Sequence, residues 1–226
     1  MRRTLMQPAC TPAAPKRLKV CVFILAAASM FTGCGSDRTP EVSSLSIDKD
    51  GKVSHQIIGQ FEQDYYEKDG LTSLARERVE EYCTDNGEGK VVLGEVDERD
   101  GKVLIHIDYV SDEDYSAFNN RTLFVGTLEE AEGQDYNLGY VAFISPKGQP
   151  MEIGGIEEPE KKKVVIIGMR PTEELLVNTY GKVLYVNQIA DTNLDVSFAG
   201  KGSVNISYPV SESGETNGAL SYIIFE

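Results

Sequence analysis

The sequence predicts an α+β fold: an N-terminal hairpin-helix (ββα-like) domain, either duplicated or echoing itself only through its turns, followed by a small antiparallel β-rich sandwich or barrel. Three observations predict it. Alternating runs flank Asp-Gly turns at Asp50-Gly51 and Asp100-Gly101, an amphipathic helical period occupies Leu71 to Thr84, and beyond Glu160 the helical period gives way to short β-rich runs.

Ser43 to Ile47 alternates, Asp48 to Gly51 is turn chemistry, and Lys52 to Ile58 completes a hairpin in which Asp-Gly supplies the positive φ of a tight turn. Asp48 and Asp50 lack the third oxygen ligand, the sixth-position glycine and the distal glutamate of a calcium loop. The helix from Leu71 to Thr84 places Leu71, Leu74, Ala75, Val79, Tyr82 and Cys83 on one face and Arg76, Glu77, Arg78, Glu80 and Glu81 on the other, and Asn86-Gly87 stops it. Lys90 to Val96 and Lys102 to Val110 form a second hairpin around Asp97 to Gly101. Asp50-Gly51-Lys52-Val53 recurs as Asp100-Gly101-Lys102-Val103, and Asp64-Tyr65 recurs as Asp114-Tyr115. The recurrence is either a duplicated unit or a coincidence of turn chemistry, and two copies do not make a solenoid.

A short helix over Asp112 to Asn119 follows, with Ser111 as its N-cap. Arg121 to Gly126 reads as a strand, Thr127-Leu128-Glu129-Glu130 as a capping box opening another short helix, and Tyr140 to Ile144 as a strand. These elements make up a domain over residues 43–144. Residues 145–160, with three prolines and three glycines, read as a linker or long surface loop. Residues 161–226 make up the β-rich domain, with runs at Lys163 to Met169, Glu174 to Val177, Lys182 to Val186, Leu194 to Phe198, Val204 to Tyr208 and Leu220 to Phe225.

The N-terminus has a different texture. Arg2, Arg3, Lys16, Arg17 and Lys19 precede a dozen apolar or small residues, Val20 to Phe31, with no acidic residue before Asp37. This is the pattern of a signal-peptide h-region and too short to span a bilayer as a helix, which takes ~20 apolar residues. Phe31-Thr32-Gly33-Cys34 resembles the bacterial lipobox, although lipoboxes prefer Leu where Phe31 stands. The resemblance implies cleavage after residue 33 and a diacylglyceryl group on the Cys34 thiol, and the polar Gly35 to Val42 with its central proline reads as a tether, so that residues 34–42 form a lipidated tether. An ordinary secretory signal with an incidental cysteine is the bland alternative. Two acyl chains hold a protein to a bilayer stably where one does not.

Removal of residues 1–33, with five Lys/Arg and no Asp/Glu, takes the formal charge from −14 to −19 over 193 residues. So acidic a chain lacks the basic face that nucleic-acid binding requires. Of four cysteines, Cys10 and Cys21 leave with the signal and Cys34 takes the lipid. Cys83 then stands alone as a packing residue, with no intrachain disulfide open to it.

The chemistry-bearing patterns are sparse. His55 and His106 are the two histidines, equivalent under the apparent repeat, and no further Cys or His completes a metal set of three or four. No nucleophile-elbow, zinc-protease or phosphate-loop pattern is present. Tryptophan is absent, but Tyr65 and Tyr66 beside Asp64, and Tyr180 and Tyr185 around Gly181, are the places where eleven tyrosines could stack on a sugar. Core packing competes for them.

Ser46 to Val53 (SIDKDGKV), Asp64 to Leu71 (DYYEKDGL), Asp114-Tyr115-x-x-Phe118-Asn119, Thr122 to Thr127 (TLFVGT), Gly181 to Val186 (GKVLYV) and Tyr222-Ile223-Ile224 resemble a family of uncharacterised lipoproteins of gut-dwelling, single-membrane bacteria. The resemblance implies an address, not an activity. The expectation is a lipid-anchored protein on the extracytoplasmic face of the cell membrane, a non-catalytic binding or envelope-interaction protein without cofactor or metal. Its partners would be the bilayer, through the Cys34 lipid, and an envelope protein or extracellular ligand. The alternatives are a small-ligand or carbohydrate-binding module, or an enzyme with an unrecognised site.

Overall fold

The computed structural model describes residues 39–62, 67–187, 194–208 and 219–226. Among them are thirteen strands in two sheets, three α-helices and three 3₁₀ turns, so the fold is α+β and mostly β. No described helix is long and apolar enough to cross a membrane.

The first hairpin joins β1 (Ser43–Ile47) to β2 (Val53–Gln60). Its turn is held by the Asp48 carboxylate, which accepts from the Asp50 and Lys52 amides at 2.8 and 2.9 Å. Asp48 is therefore spent on an Asx turn. Helix α1 (Lys68–Asn86) leads into β3 (Val91–Arg99) and β4 (Lys102–Tyr109), turned by Asp100 and Gly101 with φ of 51° and 71°. Two consecutive positive φ values are what a two-residue hairpin loop demands. Helix α2 (Asp112–Asn119) begins where the Ser111 hydroxyl accepts from the Asp114 amide and ends on Asn120 in the left-handed region. Strand β5 (Leu123–Thr127) feeds α3 (Leu128–Gly133) through a complete capping box of Thr127 and Glu130.

The remaining strands are β6 (Phe143–Ile144), β7 (Pro150–Met151), β8 (Lys163–Met169), β9 (Glu174–Thr179), β10 (Val183–Asn187), β11 (Asp195–Phe198), β12 (Ser203–Ser207) and β13 (Ala219–Phe225). A seven-stranded sheet has the order β11-β12-β9-β1-β2-β4-β3, and a six-stranded sheet the order β5-β8-β13-β10-β6-β7. One core cluster takes Leu45, Val53, Ile107 and Val177 from the first sheet and Val165, Ile167, Ile223 and Phe225 from the second, as in a sandwich.

The expected division into a domain over 43–144 and another over 161–226 is corrected by the pairing. β1 lies parallel to β9, and β5 is antiparallel to β8, so each sheet mixes strands from both sides of the boundary. The hairpin-helix order does occur twice, yet these units form no domain of their own. The physical reason is edge satisfaction: β1 and β8 would expose unpaired backbone and apolar side chains without these partners. Residues 145–160, expected as a linker or long surface loop, are mostly exposed but are tied into the fold. β7 pairs with β6, and Ile156 is buried beneath the six-stranded sheet's second face with Phe143, Val164 and Ile224.

Candidate functional site

Helix α2 is flanked by open clefts on two sides. It lies over the core through Tyr115 and Phe118, and its last carbonyls are capped from elsewhere in the chain. Arg78 Nη2 donates to the Phe118 carbonyl at 2.7 Å with its guanidinium 5.0 Å from the Phe118 ring centroid, and Arg170 Nη2 donates to the Asn119 carbonyl at 2.8 Å. Cations belong at this end of a helix.

Between α1 and α2 runs a groove of about 580 Å³, lined by the apolar Leu74, Tyr82 and Phe118 and by the carboxylates of Glu77, Glu81 and Asp85. The three carboxylates recur every fourth residue, a single stripe along α1. Leu74 is 65% exposed. Sequence periodicity put it on the buried face with Leu71, Ala75, Val79, Tyr82 and Cys83. Instead Val79 alone among these is fully buried, while Tyr82 and Cys83 pack partly against the core. Tyr82 Oη donates to Asp114 Oδ1 at 3.1 Å, and Lys90 Nζ meets Asp114 Oδ2 at 3.2 Å. Burial and then the Asp114 carboxylate push the Tyr82 phenol above its usual range.

On the other side of α2, a second cleft of about 580 Å³ is lined by Asp112, Glu113, Asn120, Arg121 and Tyr136. Asp112 Oδ2 accepts from the Val125 amide at 2.7 Å. Burial, and then the neighbouring Glu113 carboxylate, push the Asp112 carboxyl up to about 6 against that amide's pull. The Ser111 hydroxyl holds Glu113 below the ordinary carboxylate range. Arg121 is committed within the fold, its Nη1 2.6 Å from Glu173 Oε1 and its Nε donating to the Gly168 carbonyl at 2.6 Å.

The two histidines do not meet. His55 pairs in register with Ile107 and His106 with Gln56, so they point to opposite faces of the seven-stranded sheet. His55 is buried edge-on against Tyr115, ring centroids 5.5 Å apart, and its Nδ1 has no hydrogen-bond partner. Burial, with Arg121, His106 and Arg170 adding to it, lowers its pKa to about 3. On the wet face, His106 Nε2 lies 3.1 Å from Asp108 Oδ1 and 3.2 Å from Ser54 Oγ. Serine and aspartate share one ring nitrogen, whereas a nucleophilic triad needs them on opposite nitrogens. The Asp108 carboxylate raises His106 above its usual pKa.

The other sequence candidates are dispersed. Tyr180 packs edge-on against Phe225 at 5.2 Å, with Lys163 Nζ 5.7 Å from its ring centroid, and Tyr185 packs against the second core cluster. The Cys83 thiol donates to the Val91 carbonyl at 3.3 Å. Among the described residues no group of three His, Cys, Asp or Glu is placed to hold a metal ion. Cys34, Asp64, Tyr65 and Tyr66 lie outside the described residues. Sequence reasoning missed Leu74, Phe118 and Asp112. The one available signal was Leu74 amid charged neighbours, since a leucine at the margin of a weak apolar stripe is a candidate for exposure.

No protein-family model, no curated protein and no solved structure matches the chain.

Proposed function

We propose that the protein is a lipoprotein held by a lipid on Cys34 at the extracytoplasmic face of the cell membrane, where it binds another envelope molecule and does not catalyse. The observation that carries the binding role is the α1–α2 groove, where a 65% exposed leucine lies beside a stripe of three carboxylates. Exposed apolar surface rimmed by polar groups is characteristic of recognition surfaces. The address rests on the basic and apolar run before Phe31-Thr32-Gly33-Cys34. The resemblance to lipoproteins of single-membrane bacteria belongs to the same proposal.

A second reading is a small-ligand module using the cleft on the far side of α2. It is favoured by the raised pKa of Asp112 in an open cleft beside Tyr136.

The test of the first reading is intact mass and cell fractionation of wild type and Cys34→Ala. Wild type is expected in the membrane fraction with a diacylglyceryl mass at a Cys34 N-terminus, and Cys34→Ala as uncut precursor. Equal cleavage and release of both proteins contradicts the anchoring.

A further inference from the structure

We infer that the α1–α2 groove is the docking site for a basic amphipathic helix of a partner protein. The inference rests on the binding reading above and specifies its partner, but does not depend on the Cys34 lipid.

Leu74 and Tyr82 of α1 and Phe118 of α2 are the groove's apolar lining, Leu74 exposed, Tyr82 packed partly against the core and Phe118 buried. Glu77, Glu81 and Asp85 run alongside over eight residue steps of α1, or ~12 Å of helix. Arg78, the cation lining the groove, is bound to the Phe118 carbonyl and stacked on its ring, and one positive charge against three carboxylates leaves the stripe net negative. An apolar strip bordered by evenly spaced negative charge matches a segment with apolar residues on one side and Lys or Arg beside them. A helix supplies both at the same i, i+4 spacing, and two packed helices offer ridges and grooves for a third.

The same charges exclude other occupants. A second copy related by a two-fold axis would bring this carboxylate stripe against itself, in a chain already carrying −14. Anionic headgroups would be repelled by the same stripe. Nucleic acid fails on the same ground.

The test is a fluorescence-anisotropy titration of the full chain against a labelled amphipathic peptide of leucine and lysine, about 18 residues long so that it can become helical. Three variants are compared with wild type: Leu74→Asp, the groove triple Glu77→Gln/Glu81→Gln/Asp85→Asn, and a distant triple Glu129→Gln/Glu132→Gln/Asp135→Asn that removes equal charge. All substituted side chains are exposed, so thermal unfolding should be unchanged and loss of binding cannot be ascribed to unfolding. Saturable binding is expected, weakened about tenfold or more by Leu74→Asp and by the groove triple, and less than about twofold by the distant triple. Equal weakening by the two triples would show diffuse attraction to an acidic protein and overturn the inference, as would the absence of saturable binding. Sedimentation of the protein alone is the companion measurement: a wild-type dimer that Leu74→Asp dissociates would assign the face to a second copy and also overturn it. Failure of lipid attachment at Cys34 with groove-specific peptide binding intact would remove the address and leave this inference standing.

Discussion

The two sheets of this protein bury their residues by different rules. In the six-stranded sheet, Val164, Val165, Ile166 and Ile167 are consecutive and fully buried, because one face meets the other sheet and the second lies under α3 and the 3₁₀ turns. The seven-stranded sheet alternates: Leu45, Val53, Val177 and Val204 face inward, while Ser46, Ser54, Asn178 and Ser203 form a polar row across five strands with Asp108. Continuous apolar runs mark strands dry on both faces, and alternation marks strands wet on one. A position's weight for stability therefore depends on which sheet holds it.

The largest expected effect comes from deleting volume in the doubly buried sheet. Ile166→Ala should lower unfolding free energy by about 2–5 kcal/mol in urea titrations, while Ser46→Ala, on the wet face and touched by Asn178 Nδ2 at 3.3 Å, should stay within about 0.5 kcal/mol. Similar losses at both positions would erase the distinction.

Acid is the next test. His55 titrates at about 3 in the fold against 6.5 for the free side chain, so the unfolded chain binds its proton first. Tyr115 of α2 packs on His55, Arg121 and Arg170 from the loops after α2 and β8 add their positive charge, and His106 acts on it only through charge from the opposite face of the sheet. Stability contributed by neutral His55 is fully present above pH 6.5 and is lost as pH falls from there toward 3, by up to about 4 kcal/mol. His55→Leu should flatten that part of the stability profile. An unchanged pH slope would mean that His55 is hydrated in the native state.

Smaller effects separate the helices from the sheets. Thr127→Ala removes the N-cap hydroxyl of α3 and should cost about 1 kcal/mol by thermal unfolding. Asp108→Asn should change stability least, by a few tenths of a kcal/mol, since the His106–Asp108 pair is half exposed. The raised pKa gives His106 a contribution that is present below pH 6.5 and fades as pH rises through its folded value.

Much of the local structure was legible in the sequence. Both hairpins, α2 with its Ser111 cap, the Thr127–Glu130 capping box and strand β8 are encoded by turn chemistry, caps and period within a few residues. The partnerships β1–β9 and β5–β8 were not, because strands separated by several intervening elements carry no local mark of each other. The groove was hidden for a related reason. Leu74 and Phe118 become neighbours only when α1 and α2 dock, and helical spacing cannot say which end of an amphipathic stripe runs past its support. The apparent equivalence of His55 and His106 failed by one position: their offset is 51 residues, whereas the turns recur at fifty, and a single step in a strand reverses the face.

That reversal gives the most direct measurement of the arrangement, a proton NMR titration of the two imidazoles, assigned with His55→Leu. One ring, His106, should titrate above pH 6.5 and fall back toward 6.5 in Asp108→Asn, while His55 stays neutral down to the acid unfolding transition. Two histidines titrating together near 6.5 would contradict both the register that separates them and the dry core assigned to the inner face.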